Sequence, residues 1–331
     1  MLDDTQRGDG SVKSPLPNLL QRTHEVQGDQ ILYRFGNGLI IKTEILRKHD
    51  RLRILPLGAP QGSLMNHMLH FPDVVQGKDV FEPFAGSGAL GCMALKLGAR
   101  HVDFLDVNPR AVTFQVENAA LNHFLLSQYS AIEGDIATFI PTHKYDLILA
   151  NPPFVPTPDG IEGTLTSNGG PEGNQCVELL VQRLEACLHP DGQAFICLFQ
   201  LVRHGAPLVC ELLVRHLAHR VVELTPSQAR PISFAVYCRS YTELFPEAQA
   251  AIARWEGDLL GKYGDALMLN HDVAHVGPQT AGPTTYVIRE NFSEKYGENL
   301  LVPLRSDTQL SYGRIVENIL DFSGREAAWL S

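Results

Sequence analysis

Residues 79–91, Asp-Val-Phe-Glu-Pro-Phe-Ala-Gly-Ser-Gly-Ala-Leu-Gly, restrict the possible folds of this chain more than any other stretch. A short run of strand-forming residues meets Gly86, Gly88 and Gly91, and an apolar helical pattern follows to about residue 97. Strand, glycine turn and helix in that order form the unit with which an open α/β sheet offers its carboxyl edge to a nucleotide-like ligand. Taken alone, Gly86-Ser87-Gly88-Ala89-Leu90-Gly91 matches GxGxxG and suits a dinucleotide site as well as any other nucleotide site.

The chain around it continues the alternation. Strands are predicted at 79–84, 101–105, 129–132, 145–150 and 193–199, with helices at 89–97, 109–122, 175–188 and 207–219. Pro109 falls at a first helical turn, where a missing N–H costs nothing. Two further strand-like runs, 220–224 and 232–238, are joined by so short a loop that the last must run antiparallel. The expected fold is α/β, a doubly wound, seven-stranded, mostly parallel and Rossmann-like sheet, with a small β-containing amino-terminal segment and a carboxyl-terminal α+β extension.

The expected divisions are a loose polar arm over 1–28, an amino-terminal segment over 29–77, the sheet domain over 78–240 and an extension over 241–331. In the second, residues 31–35 and 39–43 flank Gly36-Asn37-Gly38, a hairpin signal, because Asn-Gly accepts positive φ. The extension shows a helix at 247–260, a strand at 285–289 and an amphipathic stretch at 312–320, with no readable role. Residues 155–173 form a Gly- and Pro-rich loop long enough to suggest a functional lid.

Charge and cysteine usage narrow the class. With 27 basic against 37 acidic residues the net charge is −10, which disfavours a protein that grips nucleic acid mainly through its phosphates. Cysteines 92, 176, 187, 197, 210 and 238 show no CxxC pair and read as reduced core thiols. With no signal-peptide pattern at Met1-Leu2-Asp3-Asp4 and no run of 18 apolar residues, a cytoplasmic protein without membrane contact is expected. His67 with His70, His216 with His219 and His271 with His275 have helical spacing, but no Cys or carboxylate completes a metal set, so no metal is expected. Residues 47–53, Arg-Lys-His-Asp-Arg-Leu-Arg, are the one basic cluster and read as a solvated face.

Four motifs in order resemble the class I S-adenosylmethionine-dependent methyltransferases: Glu82-x-Phe84-x-Gly86-x-Gly88, Leu105-Asp106-Val107-Asn108-Pro109, Gly134-Asp135 and Asn151-Pro152-Pro153-Phe154. Within that class the chain looks like the branch that methylates planar nitrogens and includes the release-factor glutamine methyltransferases. Gly169-Gly170-Pro171-Glu172-Gly173 is similar to a Gly-rich segment of those enzymes. The resemblance covers about residues 78–200 and implies S-adenosylmethionine as cofactor. Glu82, Phe84, Ala85, Gly86 and Gly88 would cradle its methionine end, and Asp106, Val107 and Asn108 its ribose. Asp135 would face its adenine, and Asn151 would border both cofactor and acceptor.

Asn151, Pro152, Pro153 and Phe154 would hold the acceptor. An amide or exocyclic nitrogen is a poor nucleophile because its lone pair is delocalised. Acceptors at the Asn151 side chain and the Pro152 carbonyl can hold its N–H groups and turn that lone pair outward. The prolines stiffen the backbone and remove competing donors, and Phe154 offers a flat face to a flat substrate. Catalysis is then mostly positioning.

The departures from that branch are a hairpin-like amino-terminal piece, Phe154 in place of Tyr, and some 90 residues after the expected sheet. They leave the acceptor open among a protein glutamine, an RNA base and a small metabolite. An NAD-dependent oxidoreductase and a non-catalytic cofactor-binding subunit are the competing classes, and the former has no use for Asn151-Pro152-Pro153-Phe154.

Overall fold

A computed structural model describes residues 23–45, 50, 52–161, 165–226 and 231–289. Two sheets organise it. The first is a three-stranded antiparallel sheet of β1 (Thr23–Gln27), β2 (Gln30–Arg34) and β3 (Ile40–Glu44). The predicted hairpin is β2–β3, turning at Gly38 with φ +80°. Residues 23–27, expected in the loose arm, instead pair with β2 in register Val26 opposite Ile31. Helix α1 (Ala59–His70) follows, and its Leu64, Met65, Met68 and Leu69 bury against the main sheet.

The main sheet begins with β4 (Asp79–Pro83), α2 (Ala89–Lys96), β5 (His101–Asp106), α3 (Pro109–Leu121), β6 (Tyr129–Glu133) and β7 (Tyr145–Ala150). It continues through α4 (Gln175–Cys187), β8 (Leu188–Arg203), β9 (Ala206–Pro207), α5 (Val209–His216), β10 (Arg220–Pro226) and β11 (Ile232–Ser233). Helices α6 (Phe234–Leu244) and α7 (Gln249–Tyr263) precede β12 (Met268–Gln279) and β13 (Thr285–Ile288). Strand order is β13-β10-β12-β8-β7-β4-β5-β6, with β9 on β8 and β11 on β12. The pairs from β8 to β6 are parallel, and β12 runs antiparallel between β8 and β10. From β4 the chain winds outward to β5 and β6, then crosses back to place β7 on the other side of β4. The carboxyl ends of β4 and β7 therefore flank the switch point, where open α/β sheets bind their ligands.

The seventh strand differs from the sequence expectation. Residues 232–238 supply only the two-residue β11, because Phe234, Tyr237, Cys238 and Tyr241 recur at helical spacing and all bury on one face of α6. The interior antiparallel strand is β12, drawn from the predicted extension. His271, His275 and Gly277 interrupt its apolar pattern, while its Leu269, Val273, Ala274 and Val276 are buried. The sheet thus runs past residue 240, as far as Ile288. The stretch at 312–320 lies outside the described residues.

Helix α3 fastens the small sheet to the large one. Asn118 accepts from Lys42 N (2.7 Å) and donates to Lys42 O (3.0 Å), and Asn122, one turn on, does the same at Ile40 (2.8 and 2.6 Å). Two side-chain amides thus replace a neighbouring strand along β3 and satisfy backbone groups whose burial unpaired would be costly. Asn118 also donates to Ser87 O (2.8 Å), tying the amino-terminal sheet to the glycine turn.

Candidate active site

Strand β4 places Glu82 in the sheet interior, 2% exposed. Its carboxyl oxygens accept from Gly91 N (2.7 Å) and Leu90 N (3.3 Å), first-turn donors of α2 with no intrahelical partner. Burial nonetheless pushes the Glu82 carboxyl up to about 8, and the two N–H groups offset only part of that effect.

The turn that follows is held in left-handed backbone at Phe84 (φ +57°), Gly86 (+51°) and Gly88 (+73°). For a residue as bulky as Phe this is a strained conformation, of the kind found where a site overdetermines the backbone. The three glycines do different work. A Cβ at Gly86 would meet nothing within 4 Å, so its backbone borders open space. One at Gly88 would come 3.2 Å from Phe104 and Gln115, and one at Gly91 only 2.3 Å from the Phe104 ring.

Asp106 ends β5 beside this turn. Its Oδ2 accepts from Gly86 N (2.7 Å) and its Oδ1 from Asn108 N (2.9 Å), and burial raises its pKa. Asn108 caps α3 by accepting from Arg110 N (3.0 Å) and donates to Leu52 O (2.7 Å). Both Asp106 and Asn108 belong to the cavity wall. Asp135 is exposed, with Oδ1 accepting from Ala137 N (2.9 Å).

Between the β4 and β7 ends lies a cavity of about 280 Å³. Of the predicted residues, its walls include Glu82, Phe84, Ala85, Gly86, Asp106, Val107, Asn108, Asp135, Asn151 and Pro153. Gly88, Pro152 and Phe154 do not reach it. Gly88 packs beneath the turn, and Phe154 is 3% exposed, its ring edge-on to His271 at 5.8 Å. The expectation that Phe154 presents a free flat face to a substrate is therefore not met: the ring belongs to the core over β8 and β12, where His271 also stacks on Phe199 at 4.2 Å.

Several wall residues carry no local signal. Ile54, Leu55 and Gln61 arrive from the amino-terminal segment, and Leu165 and Thr166 from the loop after Phe154. Cys176 and Leu179 come from α4. Burial, aided by Asp135, pushes the Cys176 thiol up to about 11, so it stays protonated and inert.

The Asn151 side-chain oxygen is buried and has no hydrogen-bond partner among the described residues. Leaving such an oxygen unpaired costs about 1–3 kcal/mol, and Asn151 is one of the residues of the cavity wall. This orphaned acceptor, the open space over Gly86, the buried acid at Glu82 and the carboxylate at Asp106 suit a nucleoside carrying an amino-acid tail.

Elsewhere, His67 lies against Phe195 at 3.8 Å, and Phe195 against His275 at 4.4 Å, a ring ladder inside the core. Among the described residues no three His, Cys, Asp or Glu side chains gather to hold a metal, and no helix is long and apolar enough to cross a membrane. All six cysteines are free, and all but Cys176 are buried. Arg47, Lys48, His49 and Arg51 of the basic cluster lie outside the described residues.

Comparison with known proteins fits this geometry. Residues 63–197 match the family model of the methyltransferase small domain. A candidate protein N5-glutamine methyltransferase of Methanocaldococcus jannaschii is 34% identical over 122 residues, covering 36% of this chain and 60% of that protein. Ribosomal protein L11 methyltransferase of Thiobacillus denitrificans is 36% identical over 75 residues, 23% of each chain. The release factor glutamine methyltransferase of Moorella thermoacetica is 31% identical over 116 residues, covering 32% of this chain and 41% of that one. The chain spans between 23% and 60% of the length of these relatives. Residues 63–197 thus correspond to a methyltransferase small domain of the S-adenosylmethionine-dependent kind.

Proposed function

We propose that this chain N-methylates a planar nitrogen, with a glutamine amide of a protein as the first candidate acceptor. The observation that carries the reading is the buried, unpartnered side-chain oxygen of Asn151, a residue of the cavity wall followed by two residues that have no N–H. Bound in the cavity, S-adenosylmethionine supplies an electrophilic methyl group. Glu82 would hold its methionine end and Asp106 its ribose, and Gly86 leaves room for it to approach the backbone. Asn151 Oδ1 would accept one N–H of the acceptor and turn the nitrogen lone pair toward the methyl; as the N–CH3 bond forms the S–CH3 bond breaks, S-adenosylhomocysteine leaves, and the nitrogen loses one proton to solvent. Because the prolines stiffen this edge, little reorganisation accompanies the reaction, and positioning supplies most of the rate.

The relatives include glutamine, ribosomal protein and ribosomal RNA methyltransferases, and the preference for a protein acceptor rests on the net charge of −10, which weighs against an RNA base. Asn151→Ala is expected to bind S-adenosylhomocysteine within about twofold of the parent while losing about a hundredfold or more in transfer, since it removes one positioned hydrogen-bond acceptor. Labelled cofactor added to cell extract, with protease and RNase arms, identifies the acceptor. Label that survives protease and disappears with RNase overturns the protein reading, and full activity in Asn151→Ala overturns the planar-nitrogen mechanism.

A further inference from the structure

The segment after the motif is not a free lid. Val155 N donates to Ser167 O (2.9 Å), Gly169 N to Val155 O (3.0 Å) and Thr157 N to Gly170 O (3.0 Å), so the loop returns onto its own start. The approach is close. A Cβ at Gly169 would sit 2.8 Å from Phe154 Cα, and one at Gly173 2.6 Å from Phe154 O. Residues 169–173 therefore lie directly on the Phe154 backbone, a contact that glycine alone permits.

The outer side of the returning loop is gripped by α6 and α7. Trp255 Nε1 donates to Pro171 O (2.9 Å), and the Tyr237 hydroxyl donates to Pro156 O (3.2 Å). Glu172 accepts from the Tyr263 hydroxyl (2.9 Å) and from Lys262 Nζ (2.6 Å). Behind these contacts Trp255 meets Phe234 and Tyr241 edge-on at 4.9 and 5.7 Å, so the gripping side chains stand on a packed aromatic base. None of these helix residues lines the cofactor cavity.

We propose that the α6–α7 pair is a clamp that holds residues 155–161 and 165–173 against Asn151-Pro152-Pro153-Phe154, so that Trp255 and Tyr237 are positioning residues for the acceptor and not for the cofactor. The consequence for transfer rests on the function proposed above, whereas the clamp itself stands on the contacts. The physical link is short. Phe154 is pressed by Gly169 and Gly173 and joined to Asn151 through two prolines whose φ is fixed, so loosening the loop frees the direction of the Asn151 oxygen.

Tyr237→Phe keeps the ring and deletes only the donor, whereas Trp255→Phe keeps an aromatic ring but removes the N–H-bearing half of the indole along with the donor. In the double variant, amide hydrogen exchange at Val155, Thr157 and Gly169 is expected to rise by about tenfold or more, since each lost hydrogen bond is worth roughly a factor of ten. Exchange in β4 and α2, and affinity for S-adenosylhomocysteine, should stay within about twofold, while the transfer rate falls by about tenfold or more with KM changing less. Unchanged exchange at the three amides overturns the clamp. So does a loss of cofactor-product affinity in step with the loss of rate, which would mark general destabilisation, and so does full turnover with a loosened loop. If the parent protein labels no fraction of an extract, the methyl-transfer reading fails, and the exchange and affinity measurements alone decide the clamp.

Discussion

Replacing Glu82 by Gln separates the charge of this acid from its shape. In the folded protein the carboxyl is 2% exposed and titrates at about 8 against an ordinary value of 4.5, because burial outweighs the donors at Gly91 and Leu90. A folded-state value above the unfolded one means that the native state binds this proton more tightly. The resulting stability is fully present below pH 4.5 and is lost as pH rises through 8. The gap of about 3.5 between the two values corresponds to about 5 kcal/mol. Glutamine stays neutral throughout, so the stability of the parent relative to Glu82→Gln should fall by about 1.4 kcal/mol per pH unit until the folded carboxyl ionises, then level off. Urea denaturation of both proteins without cofactor, in steps from about pH 5 to about pH 9, reads this slope. Saturating S-adenosylhomocysteine should flatten it, since an ammonium group beside Glu82 lowers its folded value. A stability difference independent of pH would refute the reasoning, because it would mean that Glu82 titrates alike in the folded and unfolded chain.

Two further substitutions divide the roles around the glycine turn. Gly91→Ala sets a methyl 2.3 Å from the Phe104 ring and 2.7 Å from Glu82 Oε2; thermal or urea melts should show a loss of about 1–3 kcal/mol, and an unchanged midpoint would mean that β5 yields freely. Asp106→Ala releases Gly86 N and Asn108 N and removes the carboxylate from the cavity wall. Calorimetry should find S-adenosylhomocysteine bound at least about tenfold more weakly, the scale of a lost charged hydrogen bond, and an unchanged dissociation constant would remove Asp106 from the ribose role.

The parts of the site legible in the sequence are those whose chemistry is local. Glu82, Phe84, Gly86, Asp106 and Asn151 each sit at the carboxyl end of a strand that its own residues specify, and the sheet brings those ends together. The place of Phe154 is not legible, because whether a ring faces a ligand or the core depends on what packs over it, here His271 from a strand more than a hundred residues away. The seventh strand is not legible for a related reason. Residues 232–238 and 268–279 are both apolar enough to lie in a sheet. Strand β12 takes the interior place because it reaches along both β8 and β10, while Phe234, Tyr237 and Tyr241 are spaced to cover α7 and the loop.

By itself the amino-acid sequence determined the strand–turn–helix unit at 79–91, the order of the elements from β4 to β8 and the residue types at the cofactor end, because each follows from periodicity, turn chemistry or a short motif. Tertiary structure alone decided which glycine borders the cavity and which merely fits under Phe104. It also decided that Asn151 keeps an unpaired oxygen while Phe154 turns into the core, and that the returning loop is gripped by α6 and α7. These outcomes depend on atoms brought within a few ångströms from distant parts of the chain, and that proximity is a property of the packed sheet and not of any local run of residues.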